Sequence, residues 1–166
     1  RERTMPESRE VRVVRYVAPD AALVSLSDAT VERWDLATLE PVWSKTFTTY
    51  EFDDITVTPD GALAAGRNRD SIVVFRPADG ALVTKLDRTS WNSMAPYNTL
   101  ALSPDGSWLA FAAKDTQVVI VDLPSGRERP FGEGHSTRIS ALAWLPDNAR
   151  VVSAGQNDRE LRVWDA

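Results

Sequence analysis

Short apolar runs, each cut off by turn residues, follow one another along the whole chain, and helical periodicity is never sustained over a full window. They predict strands in four kinds. The first kind precedes a Pro-Asp pair, at residues 11–17, 55–58, 99–103 and 139–145; Ile55 and Val57 alternate with Thr56 and Thr58. The second is almost wholly apolar or small, at 22–26, 62–65, 108–112 and 151–154. Continuous apolar character without alternation predicts strands covered on both faces. The third carries β-branched runs at 71–75, 117–121 and 161–164. The fourth, at 41–47, 81–86 and 127–131, is more polar, as expected of an outer edge.

Two sets of landmarks make this a repeat. Prolines open the turns Pro19-Asp20-Ala21, Pro59-Asp60-Gly61, Pro104-Asp105-Gly106 and Pro146-Asp147-Asn148, at steps of 40, 45 and 42 residues. Proline presets the first corner, aspartate bonds back to the backbone, and glycine or asparagine accepts the left-handed position that alanine takes less readily. The closing residues Trp34-Asp35, Phe75-Arg76, Val121-Asp122 and Trp164-Asp165 follow at steps of 41, 46 and 43. A turn aspartate (Asp28, Asp115, Asp158) lies six positions before the close in three copies, and Asp70 lies five before it in the other. The expected organisation is one domain over 1–166, with repeats at roughly 1–36, 37–77, 78–123 and 124–166. A four-stranded sheet with two apolar faces buries both only by stacking on sister sheets, and radial stacking leaves short edges.

Gly134-His135, Asp158 and Trp164-Asp165 in the last copy, with Asp28 and Trp34-Asp35 in the first, resemble the WD40-repeat family of β-propellers. The middle copies depart from it, with Phe75-Arg76 or Val121-Asp122 at the closing dipeptide and no preceding Gly-His. The resemblance implies an all-β fold: a β-propeller segment of four blades, each a four-stranded antiparallel sheet, forming half or part of a ring. It implies a structural hydrogen-bond set of His135, a strand serine, Asp158 and Trp164. Ser153 is the serine assigned to that set, with Ser140 the other candidate. It also implies an offset phase, in which an outer strand opens each repeat and residues 1–5 complete the last blade. Three closures are expected, in this order: the chain is the C-terminal half of a larger ring, two copies pair head to tail, or it closes alone.

Composition narrows the chemistry. A net charge of −5, from 24 acidic and 19 basic residues, speaks against binding nucleic acid or an anionic membrane surface. No apolar run is long enough to span a bilayer. Without cysteine, and with His135 the only histidine beside the acidic pair Asp53-Asp54, no metal site is expected. No glycine-rich phosphate loop occurs, and no cofactor is expected. His135, Ser153 and Asp158 are also the ingredients of a hydrolytic triad, but their motif context favours the structural role, so no catalysis is expected.

The remaining candidates lie in connections. Trp91, Met94 and Tyr97 fall in a long one, where a docking surface competes with a plug between blades. Tyr50 and Phe52 occupy the equivalent connection one repeat earlier. Arg67, Arg69, Arg138 and Arg159, with Lys114, fall in loops of one rim, where gripping acidic or phosphorylated peptides competes with plain solvation. Trp34, Trp108, Trp144 and Trp164 are expected in the core, and Trp43 suits either place. The function expected is a non-catalytic scaffold or sensor module in the cytoplasm, the C-terminal part of a larger multidomain protein, binding a protein or peptide. The competing expectation is an architectural half-ring that joins blades of another chain or a second copy.

Overall fold

The structure, a computed structural model, describes residues 2, 9–87, 99–131 and 134–166. Among them all regular structure is β, and no helix is long and apolar enough to cross a membrane. The chain divides into two compact units, Arg1–Leu86 and Asp87–Ala166.

The first unit holds two antiparallel sheets. One is β1 (Val11–Val17), β2 (Ala21–Leu26), β3 (Thr30–Asp35) and β4 (Glu40–Thr46); the other is β5 (Asp54–Val57), β6 (Ala64–Arg67), β7 (Ser71–Phe75) and β8 (Leu82–Asp87). The strands of each sheet lie in chain order. Val13, Val17, Leu23 and Val31 of the first sheet pack on Ile55, Val73 and Phe75 of the second, with Phe52 from the connection. Trp43 joins this core edge-on to Phe75 and gives its indole N–H to the Pro77 carbonyl at 3.0 Å, which settles the tryptophan that suited either place. Arg15 seals the inner strands with a 2.9 Å ion pair to buried Asp54, the second member of the acidic pair.

In the second unit, β9 (Leu100–Leu102), β10 (Trp108–Ala113), β11 (Gln117–Asp122) and β12 (Arg127–Pro130) form one sheet. The other has three described strands, β13 (Ile139–Trp144), β14 (Arg150–Gly155) and β15 (Leu161–Asp165). Ile139, Leu142 and Val151 pack on Ala110, Ala112, Val118 and Ile120, with Trp108, Trp144 and Trp164 at the margin. The residues 1–5 expected to supply a fourth strand lie outside the described residues, apart from Glu2.

Strand pairing puts each polar fourth strand beside the closing strand before it, so a sheet and a sequence repeat are out of phase by one strand. Three Pro-Asp turns follow the expected chemistry. Gly61, Gly106 and Asn148 take φ of 71°, 72° and 57°. Asp60, Asp105 and Asp147 each accept the amide two residues on, at 2.9 to 3.0 Å. The Asn148 side chain also accepts the Asp105 amide at 3.0 Å, tying two turns together. The first turn differs. Only residues 18–20 separate β1 from β2, so Ala21 is already a strand residue opposite Val17, not a left-handed corner. In the second copy, Ala62 and Leu63 are drawn into the turn by Thr58, which shifts the strand from 62–65 to 64–67.

The expectation of two covered faces holds for β2 and β6, which are buried throughout. It fails for β14, where Val151 and Ser153 are buried but Val152 and Ala154 are half-buried.

Candidate functional site

Among the described residues, two kinds of constellation bring chemistry-bearing side chains together. In the three-stranded sheet, β14 carries Ser153, β15 carries Trp164, the turn between them carries Asp158, and His135 arrives from the connection before β13. His135 is held there because its amide donates to the Thr116 carbonyl at 2.9 Å. Its Nδ1 lies 2.8 Å from Asp158 and its Nε2 lies 2.7 Å from Ser153 Oγ. The Trp164 indole N–H donates to the same serine oxygen at 2.8 Å. Since indole is only a donor, one direction satisfies every group: tryptophan to serine, serine hydroxyl to Nε2, and Nδ1–H to the carboxylate. Ser140, the alternative, instead donates to the Ala154 carbonyl at 3.3 Å.

Burial by itself pushes the Asp158 carboxyl up, but the Glu160 amide and the His135 ring outweigh it and hold it below the usual carboxylate range. Gly155 leaves room for that carboxylate, because a Cβ there would stand 2.2 Å from both of its oxygens. The arrangement repeats the contacts of a hydrolytic triad without its access. Ser153 is 1% exposed, the His135 side chain 0%, and the serine oxygen already accepts an indole. His135, Asp158 and Glu160 also stand close enough to share a cation. Both ring nitrogens are engaged, however, and Glu160 is bound by Arg162 at 2.8 Å.

The first sheet solves the same problem with other residues. By register Val24 stands where Ser153 does, opposite Glu32. Buried Glu32 accepts the Trp34 indole at 2.9 Å, and Arg9 bridges Glu32 and Asp28 at 3.0 Å each. Reading the sequence found Asp28 and Trp34 but missed Glu32 and Arg9; a carboxylate two positions before the tryptophan, on its own strand face, was the available signal.

The second constellation lies where the connection after β4 meets the β6–β7 turn. Asn68 shapes that turn by accepting the amides of Asp70 and Ser71 at 2.9 and 2.8 Å, and it ties down the connection by donating to the Tyr50 carbonyl at 3.2 Å. Arg69 then lies over the Tyr50 ring, its guanidinium carbon 3.8 Å from the centroid. Beside them opens a hollow of about 310 Å³ lined by Tyr50, Thr46, Thr48, Ser71, Asp70 and Lys85 among others.

The other expected rim residues divide. Phe52 is corrected from surface to core: at 1% exposure it packs under Phe47, its ring against Gly66. Arg67 is corrected likewise, because it ends strand β6 opposite Asp54 and Ile72 and is 4% exposed. In the second unit Arg138 faces Asp115 at 3.6 Å, and Arg159 is exposed at a φ of 62°. Trp91, Met94 and Tyr97 lie outside the described residues.

Residues 128–165 match the family model described as WD domain, G-beta repeat. An uncharacterized WD repeat-containing protein of Synechocystis sp. is 32% identical over 111 residues, 67% of this chain and 31% of that protein. WD repeat-containing protein 1 of Gallus gallus is 30% identical over 116 residues, covering 69% and 19%. Serine-threonine kinase receptor-associated protein of Rattus norvegicus is 26% identical over 157 residues, covering 93% and 42%. Among solved structures, the β-propeller domain of Cps50 (Swd1) from Myceliophteria thermophila superposes with a TM-score of 0.82 at 19% identity. That match covers 95% of this chain and 51% of that one. The chain thus spans less than half of these curated relatives.

Proposed function

This chain belongs to the WD40-repeat β-propeller family, and from that premise we propose that it is a non-catalytic scaffold whose first unit docks a protein or peptide at Tyr50 and Arg69. Propellers of this family are generally protein-interaction scaffolds, since a rigid stack of sheets presents many loops at once. The observation that carries the reading is the stacked Arg69–Tyr50 pair beside the hollow. An aromatic ring held under a guanidinium is a rigid anchor with a charged tip, the combination enriched where binding energy concentrates. Arg69 beside the hollow and Lys85 in its lining supply positive charge against one lining carboxylate, Asp70, which lies 3.7 Å from Arg69, and Thr46 and Thr49 add hydroxyls, so an acidic or phosphorylated side chain is the group expected to enter. The sealed serine and histidine of the second unit support the non-catalytic part of the reading. We place the scaffold in the cytoplasm as part of the same proposal, with cell fractionation as its check.

A labelled sample of the chain probed on arrays of acidic and phosphorylated peptides tests the docking site. Binding is expected to fall about tenfold or more in Tyr50→Ala and Arg69→Ala, whose far-UV circular dichroism stays native. Unchanged binding in both variants, or no peptide bound by the native chain, overturns it. The second reading, an architectural segment completing a ring with further blades, draws on the match to 51% of a solved propeller domain.

A further inference from the structure

The fourth strands β4, β8 and β12 each end a sheet among the described residues. Two of them are blunted against pairing with a further strand. β4 contains Pro41 and a bulge at Val42, where the register jumps from Trp43 to Pro41. β12 is Arg127, Glu128, Arg129 and Pro130, three charges and a proline. β8 lacks these devices. It runs Leu82, Val83, Thr84, Lys85, Leu86, Asp87, with Leu82 59% and Val83 49% exposed. An end strand of that composition is a template for an added one.

The turn before β8 sets which of its groups face outward. The Arg76 amide, one residue past β7, donates to the Ala81 carbonyl at 2.9 Å, so residue 81 points its backbone groups toward β7. Regular alternation then directs the amides and carbonyls of Leu82, Thr84 and Leu86 to the outer edge. Side chains alternate too. Lys85 lines the hollow beside Tyr50, and Val83 shares its face. Directly opposed residues on neighbouring strands point the same way, so a residue added opposite Lys85 aims its side chain toward the hollow, and one two positions away meets Val83. The charges there fit an anion: Lys85 is in the lining, and Lys45 of β4 reaches the turn before β8, at the Asp79 and Gly80 carbonyls.

We propose that the peptide docked at Tyr50 and Arg69 is extended and adds a strand to the outer edge of β8, with its acidic or phosphorylated residue opposite Lys85 and an apolar residue opposite Val83. The inference rests on the reading of Tyr50 and Arg69 as a docking site and adds how the partner lies and what flanks its anionic residue. Main-chain hydrogen bonds to Leu82, Thr84 and Leu86 supply affinity, while the alternate side chains supply selectivity.

A short labelled peptide with one phosphoserine and a valine two positions to either side, titrated into the whole chain by fluorescence anisotropy, tests this. In an added strand every second amide faces the edge, so N-methylating one alternate set of its residues is expected to weaken binding about tenfold or more, and methylating the other set to leave it within about twofold. Thr84→Pro removes an outward amide while sparing the pairing with β7; it is expected to weaken binding about tenfold with a native far-UV circular dichroism spectrum. Bound peptide is also expected to slow hydrogen exchange at the Leu82, Thr84 and Leu86 amides about tenfold or more. Equal response to the two methylated sets overturns the added strand, as does exchange at β8 that the peptide leaves unchanged. If Tyr50→Ala and Arg69→Ala weaken the same peptide meanwhile, the docking site stands and only the strand falls. A phosphoserine peptide that does not bind at all overturns the strand, and the peptide arrays then decide the docking site separately.

Discussion

Replacing Ser153 by alanine removes one oxygen and strands two partners, buried His135 and half-buried Trp164. In the native chain that oxygen accepts the Trp164 indole at 2.8 Å and donates to His135 Nε2 at 2.7 Å. The site is closed, with Ser153 at 1% exposure, so water does not readily substitute. A buried group left unsatisfied costs about 1–3 kcal/mol, and two such groups with some relaxation give about 2–4 kcal/mol. For a chain of 166 residues this lowers the melting temperature by about 4–16 °C. Urea titration followed by far-UV circular dichroism reads the loss. Ser140→Ala is the matched control: its hydroxyl makes one part-buried 3.3 Å bond to a carbonyl, so its loss costs about 1 kcal/mol or less. Ser153→Ala within about 0.5 kcal/mol of native, or no worse than Ser140→Ala, refutes the hydrogen-bond chain as the tie between loop and sheet.

Gly155→Ala forces a Cβ to within 2.2 Å of the Asp158 carboxylate, so it is expected to expel that carboxylate from His135 and destabilise the chain; thermal melting at or above native contradicts this. Phe52→Ala is expected to cost about 3–5 kcal/mol through a cavity over Gly66, and a near-native urea midpoint would return Phe52 to the surface. Acid is expected to weaken the fold through its turn aspartates. Hydrogen bonds from Thr58 and Ser103 hold Asp60 and Asp105 low, the Ala149 amide does so for Asp147, and Arg76 brings Asp79 to about 2. Folded values below the unfolded value mean stability that is present above about pH 4 and lost as pH falls through the folded values. A urea midpoint that is flat from neutral to about pH 5 and declines below about pH 4 is expected; one unchanged to about pH 3 contradicts it.

Strand positions were legible because their signals are local. β-branched runs fixed β7 at Ser71–Phe75, and the apolar stretch before the first turn fixed β1 at Val11–Val17. The His135–Ser153–Asp158–Trp164 set was legible because four distinctive side chains stand in a family pattern. What escaped depends on where loops fold in three dimensions. Phe52 and Tyr50 sit two residues apart in one connection, yet one enters the core over Gly66 and the other stays at the surface beneath Arg69. Arg67 and Arg69 look alike in sequence, but one turn boundary separates a buried strand end from an exposed tip. The Glu32–Arg9–Trp34 cluster departs from the family residues: Glu32 two positions before Trp34 is a local signal, but the part of Arg9 and the match to the histidine set follow from the ion pair and the cross-strand register.

Docking is assigned to the first unit, while the histidine set stays closed. Nuclear magnetic resonance shift mapping with an array-selected acidic or phosphorylated peptide tests both at once. Perturbations are expected to cluster at Tyr50, Arg69, Ser71 and Lys85, with the Trp164 indole and His135 ring signals unmoved. Perturbations centred on His135, Ser153 and Trp164, or none around Tyr50 and Arg69, contradict it.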